Sequence, residues 1–207
     1  FHGSCVEGLR AHGVAKVCPL CRGDLPRGPD QLFEEATRRF IVVDARVRRD
    51  EIRWAELSTA KQREMKEVVQ LWKDAAAQDS GKAMYNLGII YENGKGAQQD
   101  YAEAVKWFRR GADQGDAQAQ CSLGFMYEKG QGVQQDYAEA VKWYRRAADQ
   151  GYAQAQCNLG IMYKDGLGVQ QEDAEAVKWY RRAAKQGLSQ AQCRLGIMYD
   201  NGQGTPQ

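Results

Sequence analysis

Apolar residues recur along this chain at helical spacing, and the same pattern returns every 36 residues. Ala119, Leu123, Met126 and Tyr127 follow i, i+4, i+7 and i+8, which places them on one stripe of a helix. Ala140, Tyr144, Ala147 and Ala148 repeat that spacing in a second segment. The first block reads AMYNLGIIY from Ala83, AQCSLGFMY from Ala119, AQCNLGIMY from Ala155 and AQCRLGIMY from Ala191. The second reads AEAVKWFRR from Ala102, and AEAVKWYRR from Ala138 and Ala174. Each period therefore encodes two helices, and self-similarity of this kind is the signature of a repeat architecture.

Helix starts and stops fall at matching places. Asp100-x-x-Glu103 and Asp136-x-x-Glu139 form capping-box patterns that open the second helix, whereas the third copy puts Glu172 at the cap and Asp173 after it. Gly115, Gly151 and Gly187 come just after the second helix, where a left-handed residue ends it at little cost. Gly94 and Gly96, Gly130 and Gly132, and Gly166 and Gly168 break the chain between the helices. Gly124 with Ala140, and Gly160 with Ala176, mark places where two helices approach closely. Trp107, Trp143 and Trp179 offer one large apolar side chain per repeat, expected in the core. One such helix pair cannot bury its own face, so several copies must stack.

The motifs A-x-A-x-x-x-L-G-x-x-Y, G-x-G-V and A-V-K-W-Y-R-R-A-A closely resemble those of the Sel-one-like repeat family, a relative of tetratricopeptide repeats. The resemblance runs from about Val68 to the end. It is weaker at the front, where Leu71 stands at the position of Trp107 and Trp72 reads as shifted by one. It implies an all-α fold, an α/α solenoid of antiparallel helix pairs wound into a right-handed superhelix, and a role as adaptor or scaffold. The expected organisation is a zinc-finger segment over 1–29, a helical connector over 30–66 and repeats over 67–207, the last repeat cut short.

In the connector, Leu32, Phe33, Ala36, Phe40 and Val43 recur at helical spacing, and Trp54, Leu57 and Met65 suggest a further helix. Pro26 and Pro29 mark the boundary before it.

At the N-terminus, His2-x-x-Cys5 and Cys18-x-x-Cys21 have the spacing of zinc-ligand pairs. For Cys18 and Cys21 the alternative is a pair of buried small hydrophobes. The contexts F-H-x-x-C-V and C-P-x-C-R resemble the second half of a RING finger. That resemblance implies two zinc ions in the intact RING of a longer parent protein. His2 and Cys5 would serve as its third ligand pair, and Cys18 and Cys21 as its fourth. The first two pairs are absent here, so zinc is expected to be incompletely held or absent. Gathering of all four residues around one ion is the other arrangement. The resemblance further places Leu9, Pro19 and Arg22 on the surface that meets a ubiquitin-conjugating enzyme, although many RINGs carry Trp at the position of Leu9. The full-length protein would then be a RING-type ubiquitin ligase whose repeats select the client, with this chain itself not catalytic.

Composition changes this picture little. The 207 residues carry Lys+Arg 29 against Asp+Glu 27, a net charge of +2, too small to pull the chain toward nucleic acid or an anionic membrane. No apolar run is long enough for a bilayer, and no signal segment opens the chain. The chain starts at Phe1, as expected for a piece of something longer. Six cysteines without a dense disulfide framework point to a reducing compartment, cytoplasm or nucleus.

Two rival functions are weighed against the scaffold. An active site within the solenoid would need a general base for Cys121, Cys157 or Cys193, but the two histidines, His2 and His12, lie outside the repeats. Lys106, Arg109 and Arg110 and their equivalents form a basic stripe that phosphates could follow. Glu103, Glu139 and Glu175 lie three residues before the lysines and can pair with them, which disfavours nucleic acid.

On a wheel centred on Leu123, residues Gln118, Cys121, Phe125 and Glu128 point to the opposite side, with Lys129 at the edge. Tetratricopeptide-type solenoids line their concave groove with this face of the first helix. The equivalents are Lys82, Tyr85, Ile89, Glu92 and Asn93; Gln154, Cys157, Ile161, Lys164 and Asp165; and Gln190, Cys193, Ile197, Asp200 and Asn201. An apolar ladder flanked by Gln and mixed charge suits a client peptide or helix. Stacked helices about 8–10 Å apart exceed the roughly 7 Å Cα reach of a disulfide, so the three cysteines are expected to be free thiols. The alternative places all three in the core between helices.

Overall fold

A computed structural model describes residues 27–49, 54 and 57–204, which hold nine α-helices and no strand. The chain divides into two compact units, Phe1–Ser80 and Gly81–Gln207. The first contains α1 (Pro29–Arg49) and α2 (Thr59–Ala76). The second contains α3 (Gly81–Asn93), α4 (Tyr101–Asp113), α5 (Ala117–Lys129), α6 (Tyr137–Asp149), α7 (Ala153–Asp165), α8 (Asp173–Lys185) and α9 (Ser189–Asp200).

In the first unit α1 opens on Pro29, whose fixed φ suits a first helical position. Its stripe of Leu32, Ala36, Val43 and Val47 is buried, as are Met65, Val68, Trp72, Ala75 and Ala76 on α2. Phe40 lies 5.9 Å from Trp54 and 5.4 Å from Trp72, ring centre to ring centre. Of Trp54, Leu57 and Met65, only Met65 falls on an α-helix; α2 begins after Ser58, whose side chain accepts from the Lys61 amide.

In the second unit the helices pack as antiparallel pairs, α3 with α4, α5 with α6 and α7 with α8. Each second helix then packs on the first helix of the next pair, so the pairs form a solenoid. Asp100 and Asp136 cap α4 and α6 by accepting from the amides of Glu103 and Glu139, both at 2.9 Å. Glu172 makes no side-chain cap on α8, as its departure from the pattern implies. Gly130 ends α5 in the left-handed region at φ 67°, a conformation that costs glycine little.

The pairs close through an aromatic ring on a glycine. An added Cβ would stand 2.3 Å from Phe108 at Gly88, 2.8 Å from Tyr144 at Gly124 and 2.6 Å from Tyr180 at Gly160. The Gly124 site also lies 3.2 Å from the backbone oxygen of Ala140. Trp143 and Trp179 are buried in the core as expected and Trp107 is half-buried, but Phe108, Tyr144 and Tyr180 are buried deeper still. The reason is position: the ring that faces the glycine lies one residue further along than the tryptophan. Trp72 stands 36 residues before Phe108 and is likewise buried, so it holds the position of that ring.

Gly124→Leu and Ala140→Leu should each destabilise the fold strongly, because Tyr144 is fully buried and cannot swing away. Overpacking of this kind costs about 1–3 kcal/mol. Urea denaturation followed by circular dichroism checks it; an unchanged midpoint in either variant would show that the crossing lies elsewhere.

Candidate functional site: a trough along the first helices

A cavity of about 390 Å³ opens between α5 and α7 and reaches Gln190 on α9. Six residues expected in the groove line it: Cys121, Phe125 and Glu128 from α5, Gln154 and Ile161 from α7, and Gln190. Three further lining residues, Ser122, Tyr152 and Asn158, were not legible from the helical wheel. Ser122 and Asn158 occupy a position that is polar in every repeat, as Asn86 and Arg194 show, and this regularity was the available signal. Tyr152 sits at the N-cap of α7, outside the helix, where no wheel predicts direction.

The trough is apolar with fixed polar groups. Phe125 is 37% exposed, and Ile161 and Tyr152 are half-buried. The Tyr144 hydroxyl donates to a Glu128 carboxylate oxygen at 2.7 Å, and Lys129 Nζ lies 2.5 Å from the other. Lys129 also stands 5.6 Å above the Phe125 ring. Gln154 donates to Asn158 at 3.0 Å and to Gln190 at 3.4 Å, and Asn158 Nδ2 reaches Cys121 Sγ at 3.8 Å. Burial, then the charges of Glu128 and Cys157, push the Cys121 thiol up to about 12. Such a thiol stays protonated at neutral pH and is no nucleophile. Burial and Glu128 push the Tyr144 phenol up as well.

The other groove residues spread along neighbouring repeats. Lys82 and Gln118 are exposed at the helix starts, and Lys129 at the end of α5. Tyr85, Ile89 and Glu92 are half-buried on α3, with Tyr85 6.0 Å from the Phe108 ring and its phenol raised to about 12, chiefly by burial. Burial also raises the Glu92 carboxyl. Lys164 is half-buried on α7, and Cys193 and Ile197 are exposed on α9. Cys157 departs from expectation. It is fully buried in a cluster with Ala176, Val177 and Tyr180, and Cys121 is only 6% exposed. The second helix of the same pair, α8, covers Cys157, and the Asn158–Cys121 contact brings the next first helix over Cys121. Cys121, Cys157 and Cys193 are all free thiols.

His2, Cys5, Cys18 and Cys21, and Leu9, Pro19 and Arg22, lie outside the described residues. Among the described residues no group of three or more His, Cys, Asp or Glu could hold a metal, and no helix is long and apolar enough to cross a membrane.

The Sel1 repeat sequence model matches residues 81–116, 117–152, 153–188 and 189–207. The chain belongs to the Sel1 repeat family. A Sel1 repeat protein from Oxalobacter formigenes is similar at 31% identity and TM-score 0.70, over 86% of this chain and 66% of that one. A protective antigen present in uropathogenic Escherichia coli strains, displaying an SLR fold, is similar at 34% identity and TM-score 0.69, over 87% of this chain and 38% of that one. This chain thus spans less than two thirds of either protein. No curated protein sequence matches it.

The Sel1 repeats engage their basic stripe internally. Lys106 pairs with Glu103 at 2.9 Å and Lys142 with Glu139 at 2.8 Å, and Lys178 pairs with Glu175. Arg110, Arg146 and Arg182 stack on Trp107, Trp143 and Trp179 at 4.5–4.8 Å. Arg109, Arg145 and Arg181 donate to the hydroxyls of Tyr127, Tyr163 and Tyr199 on the next first helix. Phosphates would have to displace these contacts.

A small thiol reagent should label Cys193 in the native chain, while Cys157 and Cys121 react only after denaturant is added. Mass spectrometry of the labelled peptides checks this. Rapid native labelling of Cys157 would contradict its burial against α8.

Proposed function

We propose that the chain is a repeat adaptor that holds an extended peptide or helix of a partner protein in the trough between α5 and α7. The observation that supports it most is the convergence of Phe125, Tyr152 and Ile161 with the polar side chains of Ser122, Gln154, Asn158 and Gln190 around one cavity. Apolar side chains give a partner area to cover, and the amides and hydroxyl offer hydrogen bonds to its backbone. The size of the cavity suits one or two anchoring side chains. A protonated Cys121 and the lack of histidine in the repeats leave that thiol without a base to activate it, which favours binding over thiol chemistry.

Coupling of the adaptor to a RING and a ubiquitin-conjugating enzyme rests on the motif of residues 1–22 alone, and plain adaptor function is the better supported reading. In the coupled reading, His2, Cys5, Cys18 and Cys21 are ligands whose missing partners come from a longer parent protein.

The trough reading predicts that Phe125→Glu with Ile161→Glu removes partner capture while leaving the fold intact, since both side chains reach solvent. Truncating central interface anchors typically costs 2 kcal/mol or more, so affinity should fall by about 30-fold. The check is quantitative capture from lysate by the wild type, by this variant and by the outer-face variant Lys142→Glu. Equal capture by all three would overturn the trough assignment.

A further inference from the structure

A row of carboxylates runs along the first helices and stops half-way. Glu92 on α3 and Glu128 on α5 hold the same position of the repeat, and both are half-buried, whereas α7 carries Lys164 there. The two carboxylates differ in what holds them. Glu128 accepts the Tyr144 hydroxyl at 2.7 Å. Phe108 stands at the position of Tyr144 in the preceding pair and has no hydroxyl to offer Glu92. Among the described residues the Glu92 carboxylate has no hydrogen-bond or ion-pair partner, and burial alone raises it. An opposite charge brought to such a group restores what water no longer supplies.

The chain itself shows which opposite charge fits. Lys129 Nζ lies 2.5 Å from Glu128 and 5.6 Å from the centre of the Phe125 ring, so an ammonium rests there on a carboxylate and an aromatic face together. The Lys129 side chain is 49% exposed, and an exposed pair of this kind is worth little, so a better-placed cation can displace it. Phe125 serves both carboxylates. It shares α5 with Glu128, and it stands 36 residues before Ile161, which lines the cavity beside Glu128. The repeat thus gives Phe125 the same place beside Glu92. Tyr85 adds a half-buried ring on α3; after burial and Tyr152, Glu92 and Asp116 raise its phenol, which marks a negative field at this end. Lys82, the other cation on this face of α3, lies ten residues before Glu92, about 15 Å along the helix.

We propose that the segment held in the trough carries a lysine or arginine whose cation enters over α3 and α5, among Glu92, Glu128 and the Phe125 ring, with apolar neighbours turned to Ile161 and Tyr152. This rests on the adaptor reading above and names the chemistry of its partner: a basic segment of a separate protein. The incoming cation takes the place that Lys129 holds in the free chain. Lys164 repels a second basic residue over α7, so the row fixes where along the segment the charge falls. A polyanion meets the wrong sign here.

A displayed library of random peptides, selected on the full chain, tests this. Selected peptides are expected to carry a lysine or arginine beside apolar residues. Selection on Glu92→Gln with Glu128→Gln should lose the basic residue and keep the apolar ones. Glutamine still accepts the Tyr144 hydroxyl, so the fold is kept, which circular dichroism checks. For a selected peptide in solution, replacing its basic residue by methionine should weaken binding to the wild type by about ten-fold, and by much less to the glutamine variant. Lys129→Met should tighten binding, because it removes the competing cation. Trough binding is recognised by its loss in Phe125→Ala with Ile161→Ala, which removes apolar surface without adding charge. Peptides that bind in the trough without a basic residue would overturn this inference and leave the adaptor reading standing. If no selected peptide depends on Phe125 and Ile161, the adaptor reading itself fails, and this inference with it. Self-association of the chain that the glutamine variant abolishes would also overturn it, because the basic segment would then come from a second copy.

Discussion

An aromatic ring pressed onto a glycine holds each helix pair of this solenoid together, and the remaining geometry of the second unit depends on it. At Gly124 even a methyl group would stand 2.8 Å from Tyr144, closer than carbon atoms tolerate. The missing side chain lets the helices approach, and the ring fills the space with a large apolar area. Ala140, Ala147 and Ala148 on the same helix can then be fully or nearly fully buried without overfilling the crossing. With one face of α5 fixed against α6, its other side turns toward α7, and there the trough forms. The partner site is thus a consequence of how each pair closes.

Along the chain, polar side chains link one repeat to the next. Gln120 donates to the Ala112 carbonyl at 3.1 Å and accepts from Gln150 at 2.7 Å; Gln156 repeats this with Ala148 at 3.1 Å and Gln186 at 2.9 Å. Both glutamines are buried, and a buried amide left without partners would be costly. Together with the arginine–tyrosine contacts they tie each second helix to the next first helix. A repeat protein's stability is a sum of such units and their interfaces, so a fault in one pair weakens its neighbours before it weakens distant repeats.

The helices, caps and repeat period were legible because they depend on local patterns: Asp136 three residues before Glu139, and glycines at fixed offsets. Six trough residues were legible for the same reason, since a wheel reports direction within one helix. The depth of Cys157 was not, because the cover comes from a neighbouring helix that the wheel omits. Nor was the choice between Trp143 and Tyr144 as the deep aromatic. Both lie near the buried face, and only the position of Gly124 on the opposing helix decides which ring enters. The buried role of Gln120 escaped for a related reason: its partners, Ala112 and Gln150, sit on two other segments.

The most direct measurement is a double-mutant cycle across one helix pair, with Gly124→Ala and Tyr144→Ala made singly and together and their stabilities read from urea denaturation. If the ring on the glycine governs the crossing, Gly124→Ala destabilises the wild type but is nearly neutral once Tyr144 is alanine, with a coupling in the range of 0.5–3 kcal/mol, or roughly that. Strict additivity of the two substitutions would contradict the account.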